Sequence, residues 1–209
     1  MSDKPLQNKV AVVTGGASGI GLAIAERFAT DGTRVVIGDI QAEAGKAVAQ
    51  SLGGLFVEGD LSRRADCQSL IDSALENFTK VDILVNNAGF QHIDPIEEFP
   101  EDIWEKMLAL MLTAPFLLTK YVWPMMKAQG WGRIINIASI HGQVASPLKS
   151  AYVAAKHGLL GLTRTAALEG GPYGITVNAI CPAYVRTPLV GNQIADQARI
   201  RNMPPEDVI

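Results

Sequence analysis

The sequence Val10-Ala11-Val12-Val13-Thr14-Gly15-Gly16-Ala17-Ser18-Gly19-Ile20-Gly21 joins a short apolar run to a cluster of glycines. The apolar, β-branched run is typical of a strand that is buried on both faces of a sheet. The glycines permit a tight turn into a helix, whose first turn offers free N–H groups and a positive dipole to a phosphate. A glycine cluster alone is weak evidence, because an ordinary tight turn has the same composition. The stretch predicts a strand, a turn and a helix.

The same alternation of strand and helix patterns continues along the chain. The strand-like runs are Val10–Thr14, Arg34–Ile37, Leu55–Val57, Val81–Val85, Arg133–Ile137 and Ile175–Ile180. The stretches with a helical pattern are Ile20–Ala29, Ala42–Leu52, Ala65–Phe78, Glu101–Ala128 and Ser150–Leu168. Strands that alternate with helices indicate βαβ units, and therefore a parallel sheet with helices on both faces. We predict one α/β domain over residues 1–209, built on a doubly wound Rossmann sheet.

Composition excludes several classes of function. The chain has 209 residues with 18 Lys+Arg against 21 Asp+Glu, a net charge of −3, which disfavours nucleic acid or an anionic membrane as partner. Cys67 and Cys181 lack the spacing of a metal site, so no metal is expected. The N-terminus has no apolar signal-peptide core, and the apolar run Met107–Leu118 is too short to span a bilayer. We expect a soluble cytoplasmic protein.

Acidic and amide residues at predicted strand ends suggest a dinucleotide site. Asp39 follows the second strand, 24 residues after Gly15, where a carboxylate accepts hydrogen bonds from an adenine-ribose diol. A carboxylate there repels a 2′-phosphate, and no arginine follows until Arg63, so the sequence favours NAD over NADP. Asp60 and the stretch Asn86–Gly89 follow the third and fourth strands, at the edge where open α/β sheets bind ligands.

Three further residues form a candidate catalytic group. Tyr152 and Lys156 are spaced i, i+4 and share one face of the helix that follows the fifth strand. A neighbouring ammonium is expected to lower the pKa of the phenol and make it a usable base. Ser139, thirteen residues before the tyrosine, can donate a hydrogen bond to the reacting oxygen. The Tyr-x-x-x-Lys spacing alone is common on helices, but its combination with the serine and the glycine turn indicates catalysis.

In these motifs the chain closely resembles the short-chain dehydrogenases/reductases, from Lys9 to about Gln197. The resemblance implies that Tyr152 is the acid/base, that Lys156 holds the nicotinamide ribose and that Ser139 orients the substrate oxygen. It also implies a homotetramer in which the two longest helices pair across one interface. The glycine turn, the strand ends and the resemblance together predict the residues that bind NAD. They are Gly15, Ser18, Gly19, Ile20, Gly21, Asp39, Asp60, Leu61, Asn87, Ala88, Gly89, Tyr152, Lys156, Pro182 and Thr187.

Within this family, the chain is similar to the dehydrogenases of D-3-hydroxybutyrate. The similarity implies NAD-dependent oxidation of (R)-3-hydroxybutyrate to acetoacetate. It also implies that the substrate carboxylate is bound by Gln91, His141, Lys149 and Gln193, beside Ser139 and Tyr152. A small hydroxy acid offers little apolar area, so polar anchors of this kind suit it. His92 and His157 are expected to be structural.

The sequence departs from the family pattern at Met111, where an asparagine is usual, and at Ala183, where a glycine is usual. A thioether donates no hydrogen bond, so a proton relay through this position is in doubt. Family members also continue into a further helix and a last strand, which this sequence is expected to lack. Two alternatives therefore stay open: another small keto or hydroxy substrate, such as a 3-oxoacyl thioester or a sugar, and an impaired NAD-binding regulatory protein.

Overall fold

The computed structural model describes residues 4–183 and 185. The strands are β1 Val10–Thr14, β2 Arg34–Asp39, β3 Leu55–Glu58, β4 Ile83–Asn86, β5 Gly132–Ile137 and β6 Ile175–Ile180. The α-helices are α1 Gly19–Thr30, α2 Ala42–Leu52, α3 Arg64–Phe78, α4 Glu101–Leu108, α5 Ala114–Gln129 and α6 Ser150–Gly170. Each predicted strand and helix is present, with ends that differ by a few residues.

The six strands form one parallel sheet in the order β3-β2-β1-β4-β5-β6. β1 lies at the centre, with Val12 opposite Val36 of β2 on one side and opposite Leu84 of β4 on the other. The chain order reverses between β1 and β4, and the carboxyl ends of strands at such a reversal border a crevice. The predicted doubly wound parallel sheet is confirmed. The expected lack of a last strand concerns the part of the sequence after Val185, which lies outside the described residues.

Helices cover both faces of the sheet, which explains the unbroken apolar character of the strands. In β1, Val10 and Val12 pack in the core beneath α3 and α5, while Ala11 and Val13 pack beneath α1 and α2. All five residues of this strand are buried. A strand buried on both faces has no polar side to alternate with, so its sequence is continuously apolar.

The predicted helix Glu101–Ala128 is interrupted by a π-helical turn at Ala109–Thr113, which separates α4 from α5. Turns of this kind inside α-helices occur frequently at functional sites. The whole span Glu101–Gln129 is long and apolar enough to cross a membrane by length and composition alone. Some of its apolar side chains, among them Leu117, Val122 and Met126, lie in the protein core, and the core helix of a globular protein has the same composition.

A buried carboxylate fastens β4 to β1 at the amino ends of these strands. Asp82 accepts a hydrogen bond from the Val10 backbone N–H at 2.9 Å and forms ion pairs with Lys9 at 3.2 Å and Lys80 at 2.9 Å. Burial on its own would raise the pKa of Asp82, but these hydrogen bonds and charges lower it overall. Asp82 therefore stays ionised although its side chain is only 3% exposed.

Candidate active site

Most of the predicted cofactor residues lie in one cleft at the carboxyl ends of the central strands. The cleft has a volume of about 320 Å³. The predicted residues that line it are Gly15, Ser18, Gly19, Ile20, Asp39, Asp60, Leu61, Asn87, Ala88 and Gly89. It is also lined by residues that the sequence did not single out: Gly38, Ile40, Gln41, Gly59, Phe90, Lys106 and Leu110. Several of these are sequence neighbours of predicted residues: Gly38 and Ile40 flank Asp39, Gly59 precedes Asp60 and Phe90 follows Gly89.

The glycine turn is packed too tightly for side chains. Gly15 has a φ of +64°, and a Cβ there would lie 2.9 Å from the Ala88 Cα. A Cβ on Gly21 would lie 2.1 Å from the Gly15 carbonyl oxygen. The turn therefore requires glycine for its backbone conformation at one position and for close approach at the other. Gly21 belongs to the support beneath the cleft, since it does not line it.

One hydroxyl joins the glycine turn to the strand end of β4. The Thr14 hydroxyl accepts hydrogen bonds from the backbone N–H groups of Asn87 at 2.8 Å and Ala88 at 3.0 Å. The Asn87 side-chain amide donates to the carbonyls of Thr14 at 2.9 Å and Gly15 at 3.0 Å. These bonds hold the two walls of the cleft in register across 73 residues of sequence.

Asp39 is buried at the end of β2, with both carboxylate oxygens held by the backbone. One oxygen accepts from the Ala17 N–H and the other from the Gln41 N–H, each at 3.0 Å. A carboxylate oxygen accepts more than one hydrogen bond, so Asp39 keeps acceptor capacity toward a ribose diol. The residues next to it, Gly38, Ile40 and Gln41, have no basic side chain, and Lys106, the lysine among the described residues that line the cleft, lies against Asp60.

Two residues that line the cleft form an ion pair that sequence spacing did not indicate. Lys106 of α4 lies with its Nζ 3.5 Å from an Asp60 carboxylate oxygen. Burial on its own would raise the pKa of Asp60, but hydrogen bonds from Ser62 and the charge of Lys106 lower it overall. Asp60 is therefore ionised and fixed in place, and Leu61 beside it is buried.

The candidate catalytic residues also come together, next to this cleft. The Ser139 hydroxyl accepts a hydrogen bond from the His141 backbone N–H at 3.1 Å and is also hydrogen-bonded to the Tyr152 side chain. The Lys156 ammonium donates to the Ile137 carbonyl at 2.7 Å and lies 5.6 Å from the centre of the Tyr152 ring. Pro182 reaches the same region, because its carbonyl accepts from the Ile140 N–H at 2.9 Å.

The ionisation of this group differs from the sequence-based expectation. Burial raises the pKa of Tyr152, and the hydrogen bond with Ser139 only partly opposes that rise. Burial also lowers the pKa of Lys156 to about 8. The net shift of the tyrosine pKa is therefore upward and not downward as expected, because burial of the phenol itself outweighs the interaction that favours the phenolate. A further positive charge beside the phenol is needed to make it a base at neutral pH.

Two of the predicted carboxylate anchors, His141 and Lys149, lie on the same side of the site as Tyr152. The rings of His141 and Tyr152 meet edge to face with 6.3 Å between their centres, and the Lys149 Nζ lies 3.3 Å from the His141 Nε2. Burial first and the Lys149 cation second lower the pKa of His141, against a hydrogen bond with the Val144 backbone. His141 is therefore neutral at pH 7. The Gln91 Nε2 is buried with no hydrogen-bond partner among the described residues. Gln193 and Thr187 lie outside the described residues.

Met111 lies at the centre of the π-helical turn and is 1% exposed. It belongs to an apolar cluster that includes Met107, Ala155 and Tyr152, and its sulfur would lie 3.1 Å from a Cβ on Gly89. The position thus borders both the cofactor cleft and the tyrosine. A thioether supplies no hydrogen-bond donor there, so this residue cannot pass a proton as an amide-bound water would.

Buried hydrogen bonds between side chains, which the sequence analysis did not predict, link the sheet to α6. Asn86 donates to Asn136 at 2.8 Å, and Asn136 donates to the Thr163 hydroxyl of α6 at 2.8 Å. Polar residues inside predicted strands were the available signal. These two hydrogen bonds fix the position of α6 relative to the strand ends. They therefore also fix the positions of Tyr152 and Lys156, which α6 carries.

Comparison with known proteins agrees with this geometry. A family model described as short chain dehydrogenase matches residues 9–198. The chain belongs to this family. Relatives of similar sequence include the D-beta-hydroxybutyrate dehydrogenase of Rhizobium meliloti, which is 47% identical over 208 residues, covering 96% of this chain and 81% of that protein. The enzyme of the same name from Cupriavidus necator is 46% identical over 206 residues, covering 96% and 80%.

Structural comparison gives the same family. The crystal structure of levodione reductase superposes with a TM-score of 0.90 and 32% sequence identity, covering 97% of this chain and 81% of that chain. Short-chain dehydrogenases use nicotinamide cofactors. The tight glycine turn at Gly15, the buried carboxylate of Asp39 and the cleft between them fit such a cofactor. The described residues contain no group of three or more metal-ligating side chains that could hold an ion.

Proposed function

We propose that the chain is an NAD-dependent dehydrogenase that interconverts (R)-3-hydroxybutyrate and acetoacetate. The observation that carries this proposal is Lys149, which is 2% exposed and reaches the neutral His141 beside Tyr152. A buried ammonium next to the reacting group offers a strong partner to a substrate carboxylate. The unpartnered Gln91 Nε2 adds a hydrogen-bond donor for the same group. Similarity to two D-beta-hydroxybutyrate dehydrogenases supports this substrate.

The oxidation removes the proton of the substrate hydroxyl group and a hydride from the carbon that carries this group. Tyr152, as phenolate, takes the proton, and Ser139 holds the substrate oxygen by a hydrogen bond. Lys156 stabilises the phenolate by its charge and is kept in place by the Ile137 carbonyl. The oxidised nicotinamide, when bound, accepts the hydride and supplies the additional positive charge. In the reverse direction, Tyr152 returns the proton to the carbonyl oxygen.

The preference for NAD rests on Asp39. Its carboxylate is fixed by the N–H groups of Ala17 and Gln41, so it cannot swing away from a 2′-phosphate. Neither the glycine turn nor the residues directly after Asp39 carry a positive charge to offset this repulsion. A 2′-hydroxyl, in contrast, donates a hydrogen bond to the carboxylate.

The direct test is NADH formation by the purified protein with (R)-3-hydroxybutyrate. We expect absorbance at 340 nm to rise with NAD and the R enantiomer, and much less with NADP or the S enantiomer. Tyr152→Phe should abolish the activity, whereas Tyr173→Phe, at a surface tyrosine that is 39% exposed, should retain it. Appreciable activity of Tyr152→Phe would show that the mechanism is wrong.

The same assay separates the two alternatives. If the methyl ester, a 3-oxoacyl thioester or a sugar alcohol is turned over better than the free acid, Lys149 does not select the substrate. If NAD binds but no substrate is turned over, the chain is an NAD-binding regulatory protein, and Met111 is the first residue to replace.

We also propose that copies of the chain assemble through α5 and α6 into a homotetramer. Phe116 on α5 and Leu168 on α6 are 48% and 82% exposed, and large apolar side chains exposed in this way favour burial against a partner. Light scattering of the eluted protein tests this directly. A monomeric mass would contradict it.

A further inference from the structure

Two loops carry the anchors of the proposed carboxylate site. The loop after β4 contains Gln91, and the loop before α6 ends at Lys149. Neither loop has a regular ladder of hydrogen bonds to fix its backbone. The two are nevertheless joined, because the Asp94 backbone N–H donates to the Leu148 carbonyl at 3.1 Å. Asp94 is three residues after Gln91, and Leu148 directly precedes Lys149.

The backbone at this junction has an unfavourable conformation. Leu148 has a φ of +67°, in the left-handed region that a branched side chain rarely adopts. Such a residue persists only where its surroundings hold it in place. The Leu148 carbonyl accepts a hydrogen bond from the Asp94 backbone N–H. The direction in which Lys149 leaves the backbone depends on this residue.

The Asp94 side chain is held in turn by a histidine. Its Oδ2 forms a short contact with the His92 Nε2, and the His92 ring meets Phe99 edge to face with 5.3 Å between ring centres. Phe99 packs with Trp104 in the same apolar cluster that contains Tyr152. The pair of His92 and Asp94 therefore packs against the apolar cluster that contains Tyr152.

From this arrangement we propose that His92, Asp94 and Leu148 form a clasp that positions Gln91 and Lys149 for the substrate carboxylate. This role rests on the proposed function, because the two anchors are assigned there. His92 and Asp94 are positioning residues: the structure shows no contact of either with Ser139, Tyr152 or Lys156 among the described residues. The pair is 36% and 28% exposed, so its contribution to global stability is small and its effect is local.

Kinetics of His92→Ala and Asp94→Ala test the clasp. We expect the KM for (R)-3-hydroxybutyrate to rise by about five-fold or more, while kcat and the KM for NAD stay within about two-fold. The KM for the methyl ester, which lacks the charge that the anchors bind, should not change. His92→Gln, whose amide still donates to Asp94, should restore most of the affinity. The control is His157→Ala, since His157 is exposed on α6 and its Nδ1 contacts only the Val153 carbonyl of its own helix.

Hydrogen exchange measures the same clasp without reference to any substrate. In both alanine variants, the peptides covering residues 91–94 and 144–149 should exchange faster by about ten-fold, with no change elsewhere or in His157→Ala. Unchanged exchange overturns the clasp. Faster exchange with equal rises in KM for acid and ester overturns its role in positioning the anchors. If the wild-type protein fails to oxidise 3-hydroxybutyrate, the proposed function fails, and the exchange result alone then decides whether the clasp exists.

Discussion

Replacing Asp39 by asparagine tests how the chain chooses between NAD and NADP. The substitution keeps the size of the side chain and removes its charge. In the structure, both carboxylate oxygens accept from backbone N–H groups, of Ala17 and Gln41, at 3.0 Å. An amide has only one oxygen, so its NH₂ group must face one of these two donors. The variant therefore loses one hydrogen bond within the protein as well as the charge.

The two losses have different magnitudes for the two cofactors. The 2′-hydroxyl of NAD loses a hydrogen bond to a charged acceptor, which is worth about 1.5–3 kcal/mol. The affinity for NAD should therefore fall on the order of 10- to 100-fold. Two unit charges ~5 Å apart interact by about 3 kcal/mol at an effective dielectric constant of 20, and this repulsion disappears for a 2′-phosphate. The two effects add to about 4.5–6 kcal/mol, so the ratio of NAD to NADP affinity should shift toward NADP on the order of 1,000- to 10,000-fold.

Calorimetric titration of each cofactor into Asp39→Asn and the wild-type protein measures this ratio. The matched control is Glu58→Gln, because Glu58 is the register partner of Asp39 on β3, is exposed, and changes the net charge equally. We expect the control to bind both cofactors as the wild-type protein does. Equal weakening of NAD and NADP in Asp39→Asn would show that Asp39 only supports the turn, and the charge argument would be refuted.

Three further substitutions probe catalysis and stability. Lys156→Met should raise the apparent pKa of dehydrogenation, measured in a pH profile of kcat/KM, by ~2 pH units. The reason is that a charge 5.6 Å from the centre of the Tyr152 ring stabilises the phenolate by about 3 kcal/mol at a dielectric constant of 20. An unchanged pH profile would exclude this role of Lys156. Asp82→Asn should lower the free energy of unfolding in urea by about 1–2 kcal/mol at pH 7, a modest value because both lysine partners are partly exposed. The pKa of Asp82 is lowered by folding, so its stabilisation is present above the ordinary carboxyl range near pH 4 and is lost as the pH falls through the folded value. The difference between variant and wild type should accordingly vanish in acid, and a difference that persists at low pH would contradict the ion-pair explanation. Met111→Asn should increase kcat, because it places a hydrogen-bonding group beside Tyr152. It should also lower the free energy of unfolding by about 1–3 kcal/mol, because it buries an amide in an apolar cluster. Equal kcat values would show that the position has no part in proton transfer.

The fold could be predicted because its signals are local. Each buried strand is an unbroken apolar run, and each helix lies between two such runs, so the order of elements gives the parallel sheet. The cofactor cleft followed from the same logic, since residues at the carboxyl ends of parallel strands must meet at one edge. Thr14, Asp39 and Asn87 illustrate this: each directly follows or ends a strand, and all three border the cleft or support it.

The parts that sequence reasoning missed depend on contacts between distant segments. Lys106 reaches Asp60 only because α4 crosses the end of the sheet, which no spacing along the chain indicates. The pKa of Tyr152 was expected to fall because of Lys156, but burial affects both groups and depends on the packing of the whole site. The π-helical turn around Met111 has no sequence signal that distinguishes it from ordinary helix. The positions of Thr187 and Gln193 stay predictions.

The hydrogen bonds of Thr14 have a consequence for how the protein folds. They join segments that are more than 70 residues apart, and bonds across such a separation form only after the intervening chain has been organised. The cleft is thus complete only in the native state, and an unfolded chain offers the cofactor nothing to bind. A ligand present at about 100 times its Kd then stabilises the protein by about 2.7 kcal/mol. Cofactor supply during expression should therefore raise the yield of folded protein, independently of any turnover.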